Sequence, residues 1–301
     1  MSKTLTITMI MEASSLNYGE GFGNISELKK FNRADGNTYT FASRQALRYD
    51  IVRLGNEWFG WNLDVVDKTK GTLQFKDNVT IQDSVEMDLF GYLKTGSKSV
   101  KRAAVVRLSH AISLEPYNGD MEFLNNMGLA NRRNEDPNLA NLENHVSYYS
   151  YTVTIDLDKI GIDSNDDLEL EQVKKFERIQ QLLEIIKLLS RHIRGRQENL
   201  SPFFVIGGGY NVANPFFQGR VKMNRGRLDV SLLEEATQLT FAGEKVAENT
   251  WIGLSRGKFQ NEAEIRSTFE GKVLTIEDFF QQLMKKVADH YGVTYNASTS
   301  H

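Results

Sequence analysis

The stretch YTFASRQALRYDIVRLG at residues 39–55 decides the fold, because it takes the end of a strand directly into a capped helix. Ser43 is a favourable N-cap, since its hydroxyl can accept a hydrogen bond from an amide of the first turn. Apolar residues then recur at helical spacing, at Leu47, Ile51 and Leu54. We therefore predict a helix that begins after Ser43 and ends at Gly55, which can adopt a left-handed conformation.

The first turn of this helix carries positive charge where negative charge is usual. Arg44 and Arg48 face the positive end of the helix dipole, which costs about 0.3–1 kcal/mol for each. A bound anion would offset that cost, and the free amides of a first turn together with a guanidinium form a phosphate site. Alternatively, both arginines are solvated and pair with Asp50 or with a distant carboxylate.

The composition is that of an ordinary globular protein. The 301 residues suffice for one large α/β domain with insertions or for two modest domains, and 40% are hydrophobic and 25% charged. There is no cysteine, which excludes disulfides, thiolate metal sites and a cysteine nucleophile. The chain starts directly with alternating residues, without a signal-peptide core or a membrane span. We expect a cytoplasmic protein.

The net charge of −3 argues against a uniformly basic surface, but the charges are segregated. Cations gather without acids at 94–107, 187–196 and 220–227, and acids gather at 156–171 and 234–248. Such segregation suits a groove for a polyanion on one face and an acidic face for a basic neighbour. Chance segregation on a solvated surface accounts for the charges equally well.

Periodicity predicts a mixture of strands and helices. Predicted strands lie at residues 4–11 (half-buried), 38–41, 103–114, 149–157, 203–206 and 216–223, and predicted helices at 163–194, 232–240 and 276–291. Residues 14–24 form a glycine-rich loop, and Asp35-Gly36 a hairpin turn. Gly207-Gly208-Gly209 could cradle phosphate, but a bulge or tight bend is favoured because no helix follows. The asparagine-rich stretch 116–144 is either a disordered loop or an arm that orders on a partner.

Few residues suggest catalysis. The five histidines, at 110, 145, 192, 290 and 301, lack metal-ligand spacing, and His110 is most simply a packed strand residue. No metal or other cofactor is predicted. The remaining enzymatic possibility is metal-assisted phosphodiester cleavage by Asp35, although an Asp-Gly pair is far more often a turn.

Five segments, taken in chain order, carry a resemblance to a known family. They are LNYGEGFGN at 16–24, ASRQALRY at 42–49, DLFGY at 88–92, RAAVVRLS at 102–109 and YSYTVTIDL at 149–157. With these segments the chain resembles the Cas-seven (DevR-like) backbone subunits of type I CRISPR interference complexes, known as Cascade, and is most similar to the type I-B branch.

The resemblance implies an α+β fold with an RRM-like (ferredoxin-like) antiparallel-sheet palm. Residues 1–301 would form a single palm domain, with a finger-like insertion at 58–93 and a thumb or mobile loop at 116–146. Family members stack head to tail along a CRISPR guide RNA and hold its backbone, while base pairing reads target DNA. The implied partners are therefore guide RNA (crRNA), target DNA through the guide, further copies of the chain and other Cascade subunits, without a membrane.

The resemblance also implies an RNA-binding role for particular residues. The implied set comprises Asn17, Asn24, Ser43, Arg44, Gln45, Arg48, Lys101, Arg102 and Arg107, to which the third basic stretch adds Arg220. Ser43, Arg44, Gln45 and Arg48 would contact RNA phosphates. The aromatic signature of isolated RRM modules is absent, so base stacking on the sheet is not expected.

Three functions remain open at this stage. The first is a non-catalytic RNA-binding subunit for antiviral defence. The second is a metal-dependent ribonuclease of the type III kind, in which Asp35 would cut RNA, whereas type I subunits leave cleavage to a separate helicase-nuclease. The third is a small-ligand α/β protein that uses the bend at 207–209.

Overall fold

The structure is a computed structural model, and it describes residues 3–14, 16–69, 71–95 and 99–295. Ser15, Lys98 of the first basic stretch and His301 therefore lie outside the described residues. The helices are α1 (Arg44–Phe59), α2 (Val85–Phe90), α3 (Met127–Arg133), α4 (Gln172–Lys187), α5 (Val230–Thr237), α6 (Glu262–Thr268) and α7 (Ile276–Tyr291). None of the described helices has the length and apolar character needed to cross a membrane.

The strands are β1 (Thr4–Ala13), β2 (Ile25–Ser26), β3 (Lys30–Asn32), β4 (Thr38–Ala42), β5 (Val66–Thr69), β6 (Thr72–Phe75), β7 (Tyr92–Thr95), β8 (Ser99–Arg102), β9 (Val106–Leu108), β10 (Ala111–Ser113), β11 (Asp120–Asn125), β12 (Leu139–Asn144), β13 (Ser147–Asp156), β14 (Ile162–Asp163), β15 (Leu168–Glu169), β16 (Ser190–Ile193), β17 (Arg196–Asn199), β18 (Phe204–Tyr210), β19 (Met223–Asn224), β20 (Arg227–Leu228), β21 (Thr240–Phe241), β22 (Glu244–Lys245), β23 (Thr250–Leu254) and β24 (Val273–Leu274). Two short 3-10 helices lie at Leu157–Lys159 and Val246–Asn249.

One large sheet organises the described chain. Its strand order is β24-β23-β18-β1-β13-β10-β4-β3, and β9 also pairs with β13. The central strand β1 runs antiparallel to β13 over ten residue pairs, from Thr4↔Asp156 to Ala13↔Ser147, and antiparallel to β18 on its other side. Because β24 alone joins this sheet in parallel, the predicted α+β class with an antiparallel-dominated sheet is confirmed.

Both faces of the sheet are covered near β1, which corrects the prediction of a half-buried first strand. Leu5, Ile7 and Met9 pack under α1, α4 and α7, whereas Ile10 packs in a second cluster with residues of α5 and α6. The alternating residues Thr4, Thr6 and Thr8 are also buried, and the hydroxyls of Thr4 and Thr8 form hydrogen bonds there, whereas that of Thr6 forms none with the residues that the structure describes. The hydroxyls of Thr8 and Thr152 lie 2.8 Å apart.

The helix predicted after Ser43 is present, but it is longer than its sequence pattern indicates. The Ser43 hydroxyl accepts a hydrogen bond from the Ala46 amide, as predicted, and the helix ends at Gly60, which has φ 67°. Gly55 lies buried inside the helix. The Trp61 ring packs against it so closely that a Cβ at this position would come within 2.3 Å of the ring. Gly55 therefore permits close packing and does not end the helix.

The three consecutive glycines form neither a bulge nor a bend. Strand β18 runs straight through residues 207–209, buried along its whole length. A Cβ on Gly207 would lie 2.0 Å from the Thr6 carbonyl oxygen, and one on Gly208 would lie 1.7 Å from the Asn249 carbonyl oxygen. Gly207 and Gly208 are needed because neighbouring backbone approaches this strand closely.

Three further element predictions are wrong for local reasons. Residues 163–167 turn between β14 and β15, since Asp163 accepts hydrogen bonds from the Tyr92 hydroxyl and the Asn165 amide, and α4 begins only at Gln172. The predicted strand 103–114 is divided into β9 and β10, because the Thr152 amide donates to the Ser109 hydroxyl at the break. Residues 216–220 form turns, in which the amides of Gln218 and Arg220 donate to the carbonyls of Pro215 and Phe217, and β19 begins only at Met223. The helices predicted at 232–240 and 276–291 are confirmed as α5 and α7.

The two predicted insertions both contain regular structure. In the first region, the hairpins β5-β6 and β7-β8 and helix α2 surround a small core of Val65, Val79, Ile81, Met87 and Tyr92. In the second, β11 and β12 form a hairpin whose connection contains α3, and β12 pairs in parallel with β2. We call this second region, residues 120–144, the arm. Glu143 fixes its base by accepting from Lys30 Nζ at 2.7 Å and from the Leu28 amide.

Candidate nucleic-acid interface

Four of the predicted RNA-binding residues line a single groove. Arg44, Gln45 and Arg48 come from the first turn and a half of α1, and Arg107 comes from β9. The groove has a volume of about 480 Å³, and its remaining wall is made by Phe90, Ala104, Val106 and Leu108. We call it the cationic groove.

Strand alternation and helix capping explain how the groove forms. On β9 the side chain of Val106 is buried in the core, so that of the next residue, Arg107, is exposed. At the start of α1 the Ser43 amide donates to the Asn17 side-chain oxygen at 3.1 Å, which ties the glycine-rich loop to the helix cap. Asn17 thus lies beside the cationic groove, where it positions the cap.

His110, at the break between β9 and β10, also caps α1. Its Nδ1 accepts a hydrogen bond from the Arg44 amide at 3.2 Å, which assigns the ring proton of the neutral imidazole to Nε2. His110 is exposed and is therefore not the packed residue that its strand position suggests. The pairing of Ala111 with Ala42 brings it there, and sequence spacing contains no signal for that long-range contact.

The arginines of the cationic groove differ in their electrostatic state. Arg44 and Arg107 are exposed, and neither side chain forms an ion pair or hydrogen bond within the part of the chain that the structure describes. Arg48 donates to Glu86 at 2.6 Å and lies over the Phe90 ring. The expected alternative, pairing with a distant carboxylate, thus holds for Arg48 but not for Arg44.

Arg102, one of the residues predicted to bind RNA, has its guanidinium bonded in the interior of the protein. Its guanidinium is only 7% exposed and donates to Asp88 Oδ1 at 2.8 Å and to the Lys159 carbonyl at 3.0 Å. Asp88, fully buried, also accepts from Arg178 at 2.7 Å and from the Gly161 amide. Because its donors are used by these internal acceptors, Arg102 has no free face for a phosphate.

The remaining predicted residues do not line the cationic groove. Lys101 is exposed on β8. The Asn24 carbonyl accepts from the Asn141 amide, so Asn24 lies at the arm. Arg220 donates to the Phe216 carbonyl at 2.6 Å.

A second depression lies on the side of His110 that is away from the cationic groove. It has a volume of about 440 Å³ and lies between the β3-β4 hairpin and residues 218–223. Its cationic members are Arg33, which lies over the Tyr39 ring, and Lys222 from the third basic stretch. Since His110 lines this depression and also bonds to Arg44, the two concavities adjoin.

The carboxylate of Asp35, the candidate for metal-assisted cleavage, is hydrogen-bonded within its own hairpin. Its two carboxylate oxygens accept from the Asn37 amide at 2.9 Å and from the Tyr39 hydroxyl at 2.8 Å. The bond from Asn37, followed by that from Tyr39, lowers the pKa of the Asp35 carboxyl. Among the described residues, no group of three or more His, Asp or Glu side chains could hold a metal ion. The geometry is that of a turn aspartate.

The fold and the groove together define an α+β protein in which an antiparallel sheet presents a cationic groove at the start of a helix. A family model described as "CRISPR-associated negative auto-regulator DevR/Csa2" matches residues 5–222, and the chain belongs to this family. The DevR-like family that the sequence motifs indicated is thereby confirmed, and the type I-B branch stays a prediction.

Solved structures share the fold. A chain of a "CRISPR RNA-guided surveillance complex, pre-nicking" aligns with a TM-score of 0.58 at 11% identity, and covers 96% of this chain and 99% of that chain. A chain of a "CRISPR RNA-guided surveillance complex" aligns with a TM-score of 0.52 at 14% identity, and covers 95% and 99%. No curated protein matches the sequence. At these identities the likeness concerns the fold.

Proposed function

We propose that this protein is a non-catalytic backbone subunit of a type I CRISPR interference complex. In this role it binds the phosphates of guide RNA and stacks head to tail with further copies along that RNA. Target DNA is then read by pairing with the guide, alongside other Cascade subunits in the cytoplasm. The family membership and the shared fold with chains of RNA-guided surveillance complexes support this proposal.

The observation that carries the proposal is the pair of exposed arginines at the capped end of α1. Arg44 and Arg107 line one groove and are not neutralised by carboxylates of the described chain. A guanidinium at a helix start is unfavourable until an anion lies across it, and a phosphodiester supplies one negative charge per nucleotide.

The arm suits contact with a neighbouring copy, in the role of the predicted thumb. It exposes apolar side chains at Met121, Phe123, Met127, Leu129 and Leu139. A cluster of this kind on a projecting hairpin is typical of an interaction surface. If the acceptor surface lies elsewhere on the same chain, the contact is heterologous and can continue as a helical filament. Within this proposal, residues 58–93 are the finger, the palm is RRM-like and the branch is type I-B.

The alternative of a metal-dependent ribonuclease is not favoured. It requires Asp35 to be available to a metal and to the scissile phosphate. Asp35 instead stabilises the β3-β4 turn through hydrogen bonds to both of its oxygens.

Replacing Arg44 and Arg107 together by alanine is expected to weaken binding of single-stranded RNA about a hundredfold or more, whatever the RNA sequence. Each charge-assisted phosphate contact contributes roughly 1.5–3 kcal/mol, and its loss also reduces counterion release. The slope of log K against log salt concentration should become shallower by about 0.7 for each contact. Fluorescence anisotropy with labelled RNA at several salt concentrations measures both quantities.

Two further variants make this experiment specific. The pair Arg266→Ala with Lys285→Ala removes the same charge outside the groove, and we expect its RNA affinity to stay near that of the wild type. Glu86→Gln releases Arg48 from its ion pair, and we expect it to bind RNA more tightly. Equal losses in both double variants would show that only net charge matters, and the groove proposal would be abandoned.

A further inference from the structure

Three aromatic side chains form a cluster between the cationic groove and the second depression. The rings of Phe31 and Phe41 are stacked, with centroids 3.8 Å apart and planes 11° from parallel. The His110 ring meets both edge-on, at 5.9 Å from Phe31 and 5.3 Å from Phe41. Phe31 is 37% exposed and lies on β3, the last strand of the sheet.

The position of this cluster is unusual for solvent-exposed phenyl rings. One face of Phe31 is covered by Phe41 of the neighbouring strand β4, and Phe31 itself adds exposed apolar surface at an edge strand, where charged residues are usual. The pairing of Phe31 with Tyr39, and of Phe41 with Ile112, places both rings on the sheet face that carries the second depression.

Cations flank the cluster on both sides. Arg44 and Arg107 lie in the cationic groove, and Arg33 and Lys222 line the second depression. His110 joins the two, since it bonds to the Arg44 amide and lines the depression. A polyanion that passes from one concavity to the other along His110 comes beside the two phenylalanine rings that contact it, and an aromatic surface with cationic flanks is the arrangement used to hold single strands.

We propose, in departure from the expectation that no base stacks on the sheet, that the exposed face of Phe31 stacks on one unpaired base of single-stranded RNA, extending the Phe31-Phe41 stack. This inference rests on the proposed RNA-binding function and adds a base contact to the phosphate contacts. Since every base has a π-face, the site accepts any of the four. The strand runs from Arg44 across Phe31 toward Lys222, and His110 supports the aromatic cluster through its ring contacts.

The first test compares Phe31→Leu with Phe31→Tyr, measured with RNA that carries 2-aminopurine, whose fluorescence falls when it stacks. Leucine retains apolar volume but removes the ring, and we expect about tenfold weaker binding with loss of the quenching. Tyrosine should preserve both. The salt slope should not change, because no charge is removed. Phe241→Leu is the matched control, since Phe241 is also an exposed strand phenylalanine, 48% exposed, and lies in neither concavity.

An abasic RNA of the same length completes the test and does not depend on the stability of the variant. It should bind the wild type less tightly than the parent RNA does, and it should bind wild type and Phe31→Leu equally. If Phe31→Leu binds and quenches like the wild type, or if abasic RNA still distinguishes the two proteins, the stacking inference is overturned while phosphate binding stands. If the wild type binds neither RNA, the proposed function itself fails.

Discussion

Asp88→Asn is expected to lower the free energy of unfolding by about 3–5 kcal/mol, because it leaves the buried Arg178 without its counter-charge and leaves Arg102 only the Asp163 carboxylate, 4.0 Å away. Asp88 is fully buried and bridges Arg102 and Arg178, which are only 7% and 9% exposed. It also accepts from the Gly161 amide with both oxygens. Asparagine keeps the volume but supplies only one acceptor and no charge. Urea unfolding followed by circular dichroism measures the loss.

The control for this prediction is Asp64→Asn, which also removes one partner of an ion pair. Asp64 bonds to Lys76 at 2.7 Å, but its side chain is 90% exposed, and an exposed pair contributes less than about 1 kcal/mol. If Asp88→Asn unfolds at the same urea concentration as this control, the buried network does not hold the region around α2 in place. The structural role given to Arg102 would then also be wrong.

Gly208→Ala is expected to destabilise the fold by at least about 3 kcal/mol, or to prevent folding altogether. The added Cβ would lie 1.7 Å from the carbonyl oxygen of Asn249, which ends a 3-10 helix directly before β23, and this backbone cannot move as a flexible side chain can. Thermal unfolding and the yield of folded protein measure the effect. A ligand cradle at this glycine would leave room for a methyl group, so the outcome also tests the third function considered from sequence.

Gly128→Ala is the matched control, since it makes the same chemical change in a different setting. Gly128 lies in helix α3, and a Cβ there would meet nothing within 4 Å. Alanine favours helix over glycine by about 1 kcal/mol, so this variant should be neutral or slightly stabilising. An equal response of both variants would contradict the close backbone approach at β18.

Sequence predicts best those features that depend on neighbouring residues. The N-cap at Ser43 and the placement of Arg44 in the first turn follow from helical spacing alone, and both are present. The prediction that the helix ends at Gly55 was wrong, because sequence does not distinguish a glycine that accommodates a tryptophan ring from one that ends a helix. The ring comes from Trp61, just beyond the helix end, and local propensity does not reveal such packing.

Long-range contacts explain the remaining differences. Arg102 looks like any cation in a basic stretch, and only its pairing with Asp88 shows that it is internal. His110 has no helix in its own segment, and only the pairing of β10 with β4 brings it to the start of α1. The cationic groove itself combines two separate segments. Local sequence signals define the first, α1, whereas sheet pairing places the second, β9.

A modest number of cations per chain is consistent with an RNA-binding filament. The net charge is −3, and the groove contains only two arginines without a carboxylate partner in the described chain. When many copies share one RNA, weak contacts in each copy multiply into strong overall retention. Each subunit therefore needs few phosphate contacts, and acidic residues remain available for contacts with neighbouring copies.

The central claim is that the cationic groove holds guide RNA by its phosphates, and copurification tests it most directly. The wild type and the Arg44→Ala, Arg107→Ala double variant are each expressed with a CRISPR array, purified at moderate salt and compared by the ratio of absorbance at 260 nm to that at 280 nm. We predict that the wild type retains RNA and elutes as oligomers, whereas the folded double variant elutes with the absorbance of protein alone. Equal RNA retention by the two proteins would contradict the account.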